Sequence, residues 1–93
     1  MSSNSETAGA EARARLPLGV ALHARPAGAF VREATRLAGV VTISANGRRA
    51  NAKSILEVLS LGATGGTELV ISASGEDATV GVEHLAAFVS GLS

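Results

Sequence analysis

Two runs of alternating residues, Val40 to Ala45 and Arg48 to Ala52, are separated by Asn46-Gly47. Asn-Gly in this setting is the strongest short-range hairpin signal, because a type I′ turn needs positive φ at both central positions. It commits the middle of the chain to an antiparallel strand pair. Val41, Ile43 and Ala45 then share one face, and Val40, Thr42 and Ser44 the other. A lone hairpin is marginal in water, so the flanking segments must supply partners for its apolar face.

Those segments change period in a regular order. Ala12, Ala14 and Leu16 alternate with Arg13 and Arg15, a half-buried strand that Pro17 ends or confines to a sheet edge. Ala27, Phe30, Val31, Ala34, Leu37 and Ala38 recur at helical spacing, with Arg32, Glu33, Thr35 and Arg36 opposite. Pro26 suits a first turn and Gly39 a C-terminal cap, which predicts a helix over 24–37. Ser54 and Glu57 have capping-box spacing and open a short helix that Gly62 closes. Thr64 to Thr67 turn the chain, and Leu69, Ile71 and Ala73 alternate as a strand. Asp77 is placed to cap a last helix carrying Val82, Leu85, Ala86, Val89 and Leu92. The order β-α-β-β-α-β-α predicts an α+β fold, a four-stranded antiparallel sheet with three helices on one face. Residues 1–11, small and polar, read as a disordered tail, leaving 12–93 as one folded domain.

Composition removes most functions. Eight basic residues balance eight acidic ones, and the aromatics are two Phe alone, so neither a basic face nor a stacking platform for nucleic acid is expected. Without cysteine there is no disulfide framework and no thiol nucleophile. No apolar run approaches the roughly 20 residues that span a bilayer, and no signal peptide opens the chain. Membrane insertion is therefore excluded and the cytoplasm expected. His23 and His84 stand too far apart in sequence for a metal-ligand pattern, so neither metal nor cofactor is expected. Phosphate loops and nucleophile elbows are missing too.

His23 stands out by position. It falls at the start of the first helix, with Arg25 in the first turn. Helix N-termini offer unpaired N–H groups and a partial positive charge. An imidazole there is a nucleophile beside an anion cradle, and Arg25 supplies a fork for a phosphoryl oxygen. Spacing alone leaves open that His23 is an ordinary cap and Arg25 a solvated charge. Among Ile55, Leu56, Val58, Leu59 and Leu61, too many apolar residues for one face of a two-turn helix, some must be exposed as a docking surface. His84 reads as a surface residue, and Arg48 and Arg49 as protection of an edge strand.

The string Leu22-His23-Ala24-Arg25-Pro26-Ala27-Gly28 resembles the active-site signature of the HPr family. These are the histidine-containing phosphocarriers of the phosphoenolpyruvate-dependent sugar phosphotransferase system. A second block, from Asn46-Gly47 through Lys53 to Gly62 and on to Glu68–Gly75, resembles that family's regulatory-serine segment and last strand. The resemblance covers roughly residues 16–92 and implies an open-faced β-sandwich. By the same resemblance His23 takes a phosphoryl group on Nδ1 from enzyme I and passes it to enzyme IIA domains. Arg25 and the backbone N–H groups of Ala24 and Arg25 hold that group, and Gly28, Ile55, Leu56 and Leu59 dock partners. Ser54 matches the serine that a dedicated kinase or phosphatase modifies in part of the family. The implied protein is a monomeric carrier, not a turnover enzyme. Val20 and Ala21 depart from the pattern, which has a small polar residue and a glycine at those positions. That pair leaves room for a regulatory paralogue in a nitrogen-type or glycerone-kinase phosphorelay. A binding module acting through phospho-Ser54 is a further alternative, although family members of that kind tend to lack the histidine.

Overall fold

The computed structural model describes residues 9–93. In chain order the elements are β1 (Ala10–Arg15), α1 (Ala24–Ala34), β2 (Val41–Ala45) and β3 (Arg48–Asn51), followed by α2 (Ile55–Ser60), β4 (Glu68–Ala73) and α3 (Ala78–Ser90). The strands form one sheet in the order β1-β4-β2-β3, antiparallel at every pairing. Asn46 and Gly47 turn the β2–β3 hairpin at φ 54° and 80°, the two positive values that a type I′ turn requires.

Register decides which face is covered. Ala12, Ile71, Ile43 and Ala50 stand opposite one another across the sheet, and Ile71, Ile43 and Ala50 in that row are buried. Phe30 and Ala27 of α1, Val58 of α2, and Val82, Leu85 and Val89 of α3 close over that face and are themselves buried. Each large apolar side chain removed from water contributes about 1.5–3 kcal/mol. One residue along, the row Arg13, Val70, Ser44 and Arg49 lies on the opposite face, and no side chain in it is fully buried. The result is the expected open-faced sandwich, helices on one side only.

The elements differ from the sequence reading in four places. β1 begins at Ala10, two residues before the boundary set at Ala12, because Ala10 and Glu11 pair with Ala73 and Ser72 through their backbones. The tail expected over 1–11 therefore loses residues 10 and 11 to the sheet, while residues 1–8 lie outside the described part. α1 ends at Ala34 rather than Leu37. The Thr35 hydroxyl donates to the Arg32 carbonyl, and Arg36 and Leu37 donate to the carbonyls three residues back, so the last turn tightens. Gly39 is consequently no helix cap; it passes close to the Ser74 carbonyl at the end of β4. Asp77 holds the N-cap position of α3 and its carbonyl accepts the first helical bond from Gly81 N at 2.8 Å, but its side chain makes no capping bond.

Candidate functional site

α1 starts where the chain leaves a turn. Val20 N donates to the Pro17 carbonyl at 3.1 Å, and buried Leu22 donates to the Ala63 carbonyl at 2.9 Å. His23 follows as the N-cap in extended backbone (φ −96°, ψ −165°), and its carbonyl accepts the first helical bond from Ala27 N at 2.8 Å. Pro26 carries no N–H. The helix end is thus left with two free donors, the N–H groups of Ala24 and Arg25, which find no acceptor among the described residues. The His23 ring is exposed and caps nothing. Arg25 is exposed as well and has no carboxylate partner among the described residues. Imidazole, guanidinium and two backbone donors therefore share one end of α1, unoccupied by protein groups.

The departure at Val20-Ala21 has a structural resolution. Ala21 does not adopt positive φ; the left-handed position in this stretch is Gly19, at φ 85°. Val20 is partly buried and packs against the core. Ala21 therefore occupies its place without the strain that a left-handed backbone would impose.

Ser54 is the N-cap of α2, its Oγ accepting from Glu57 N at 3.3 Å. The reciprocal half of the predicted capping box is redirected. Glu57 Oε1 accepts from Asn51 N at 2.8 Å, while Ser54 N donates to the Asn51 carbonyl at 3.0 Å. The box thereby ties α2 to the end of β3. Of the helix's apolar residues, Val58 and Leu61 enter the core, Leu59 is partly buried, Ile55 is 37% exposed and Leu56 76% exposed. Gly28 adjoins them from α1, since a Cβ there would lie 3.7 Å from Ile55 Cδ1. Gly28, Ile55 and Leu56 form one partly exposed apolar surface where α1 and α2 pack.

Sequence reasoning missed His84 as a structural partner. Its Nε2 lies 2.8 Å from Glu33 Oε1, joining α3 to α1, and Arg36 reaches the same oxygen at 3.5 Å. That bond holds the Glu33 carboxyl below its usual 4.5; partial desolvation opposes it, and the Arg36 charge adds to it. No local pattern could have joined two residues so far apart in sequence. An open cleft of about 750 Å³ is lined by Val40, Thr42, Arg49, Lys53 and Ser74 among others, and neither His23 nor Arg25 reaches it. Among the described residues no cluster of His, Asp and Glu could hold a metal ion, and no helix is long and apolar enough to cross a membrane.

An imidazole presented on the surface, with no enclosing pocket and an apolar helix face nearby, suits exchange between proteins. A family model described as "PTS HPr component phosphorylation site" matches residues 10–91. The chain is 46% identical to phosphocarrier protein HPr of Streptomyces coelicolor, over 87% of this chain and 88% of that one. It is 46% identical to the HPr-like protein Crh of Bacillus subtilis, over 73% and 80% of the two chains. The crystal structure of a phosphocarrier protein HPr from Bacillus anthracis superposes with a TM-score of 0.80 at 39% identity, covering 86% of this chain and 95% of that one. The chain belongs to the HPr family of phosphocarriers of the phosphotransferase system.

Proposed function

We propose that His23 is the phosphoacceptor and that the protein, a cytoplasmic monomer, relays a phosphoryl group from phospho-enzyme I to enzyme IIA domains. The Nδ1 lone pair attacks phosphorus, the phosphorus–nitrogen bond of the donor histidine breaks, and its electron pair returns to the donor ring. Nδ1 must then be unprotonated, with the ring proton on Nε2. The Ala24 and Arg25 N–H groups and the Arg25 guanidinium receive the phosphoryl oxygens, an anion at the positive end of a helix. Gly28, Ile55, Leu56 and Leu59 dock both partners. Ser54, beside that surface, is a regulatory phosphorylation site for a serine kinase. A dianion there keeps an acceptor for Glu57 N while placing charge against the apolar face.

The observation that carries this reading is the unengaged His23 ring beside two free backbone donors. Incubation with phosphoenolpyruvate and enzyme I should label the protein with an acid-labile, base-stable phosphate, bonded to Nδ1 by NMR. Equal labelling of His23→Ala would overturn the assignment.

A further inference from the structure

The chain entering His23 is held at both ends by a second segment. Leu16 N donates to the Thr67 carbonyl at 3.0 Å, and Gly66 N to the Leu16 carbonyl at 2.8 Å. Arg15 adds a side-chain bond to the Gly66 carbonyl at 2.8 Å. Six residues after Leu16, Leu22 N reaches the Ala63 carbonyl. Between these two attachments the Pro17–Val20 turn lies directly on Gly65. A Cβ built on Gly65 would stand 2.7 Å from Gly19 N, 3.0 Å from the Pro17 carbonyl oxygen and 3.3 Å from the Leu18 carbonyl carbon. All three are backbone atoms, so no side-chain rotation relieves the overlap. Gly65 itself lies outside the left-handed region, which means alanine there is excluded by the neighbouring turn and not by its own φ.

We infer that Gly65 is a positioning residue for phosphotransfer: its lack of a side chain lets the 63–67 segment hold the Pro17–Leu22 backbone, and through it the His23 ring. The inference rests on His23 being the acceptor. A methyl group at position 65 pushes the turn away, and the displacement passes through Leu22 to the residue that follows it. Displacing a reacting group by about 1 Å can cost as much as 10²-fold in rate. The apolar docking surface lies on α1 and α2 and is untouched.

Gly65→Ala and Gly47→Ala serve as a matched pair. Gly47 sits at the hairpin tip with φ 80° and nothing within 4 Å, so alanine there strains the backbone without pressing on the turn. Single-turnover transfer from phospho-enzyme I is measured against carrier concentration, and the folded fraction by circular dichroism. For Gly65→Ala the saturating rate should fall on the order of tenfold to a hundredfold with the half-saturating concentration unchanged. The amide NMR signals of 17–24 should shift. Gly47→Ala should lose stability and keep its saturating rate. A saturating rate for Gly65→Ala within about twofold of the parent, or a loss confined to half-saturation, would refute the inference. Labelling of His23→Ala in the same assay sinks the acceptor assignment instead, so the two failures are separable. Should Gly65→Ala not fold, Gly19→Ala strains the same turn from its own φ of 85° and is judged by the same two criteria.

Discussion

Replacing Ser54 by alanine and by aspartate separates its structural role from the regulatory one proposed for it. The Oγ accepts one N–H of the first turn of α2 at 3.3 Å, a long bond at a partly exposed position. Losing an N-cap acceptor typically costs about 1 kcal/mol, and a long exposed bond belongs at the lower end, about 0.5–1 kcal/mol. For a domain of this size that lowers Tm by roughly 2–8 °C. Aspartate keeps an acceptor for Glu57 N and places a carboxylate at the positive end of the helix, so Ser54→Asp should lie within about 0.5 kcal/mol of the parent. Docking should order the variants differently. Ser54→Ala should bind enzyme I as the parent does, whereas Ser54→Asp, with a charge next to Ile55 and Leu56, should bind several-fold more weakly. Thermal and urea unfolding give the first comparison, titration calorimetry the second. The reasoning fails if Ser54→Ala is as stable as the parent, because the cap then contributes nothing. It fails equally if both variants bind alike, since lost structure and not added charge would then govern docking.

Two further predictions concern the helices. The Glu33 carboxyl is held below 4.5 by His84, so its stabilisation is full above that value and is lost as pH falls through the lowered one. Glu33→Gln should therefore be less stable than the parent near pH 6, with the difference closing as pH falls below 4.5 and through the lowered value; a difference that stays constant as pH falls would refute the pairing. Leu56, 76% exposed, contributes little to the core. Leu56→Ser should leave unfolding within about 0.5 kcal/mol of the parent while raising the half-saturating carrier concentration in transfer; a Tm loss with normal transfer would place it in the core instead.

The legible parts of the fold were those in which side-chain chemistry repeats. Asn46-Gly47, the alternation of Leu69, Ile71 and Ala73, and the helical spacing of Ala27, Phe30 and Ala34 each state a face and a direction, and the structure follows them. The start of β1 was not legible. Ala10 and Glu11 join β4 through backbone bonds that any residue can make. The end of α1 was misread because the apolar period runs on to Leu37, which is buried although the helix stops at Ala34; burial periodicity and hydrogen bonding part company in a tightened last turn. Ser54 read correctly as a cap, but the Glu57 carboxylate went to Asn51 N, a choice set by where β3 ends. Likewise Glu33 and His84 meet only because α1 and α3 pack side by side.

The fold accommodates Val20-Ala21 because of how the chain entering His23 is held. A carrier must present one ring to several partners, so few of its own side chains should be committed at the ring, and none of the described ones bonds to His23. Position is supplied instead by backbone groups, the Leu22 N–H on the Ala63 carbonyl and the Leu16–Gly66 pair. Backbone attachments are indifferent to the side chains they pass. Val20 is free to pack against the core, and Ala21 to occupy a position where the family pattern has glycine, because the left-handed turn has been taken by Gly19. The constraint that sequence variation would otherwise place on the residues before His23 falls on Gly65, where a single methyl group would meet three backbone atoms of the Pro17–Gly19 turn at once.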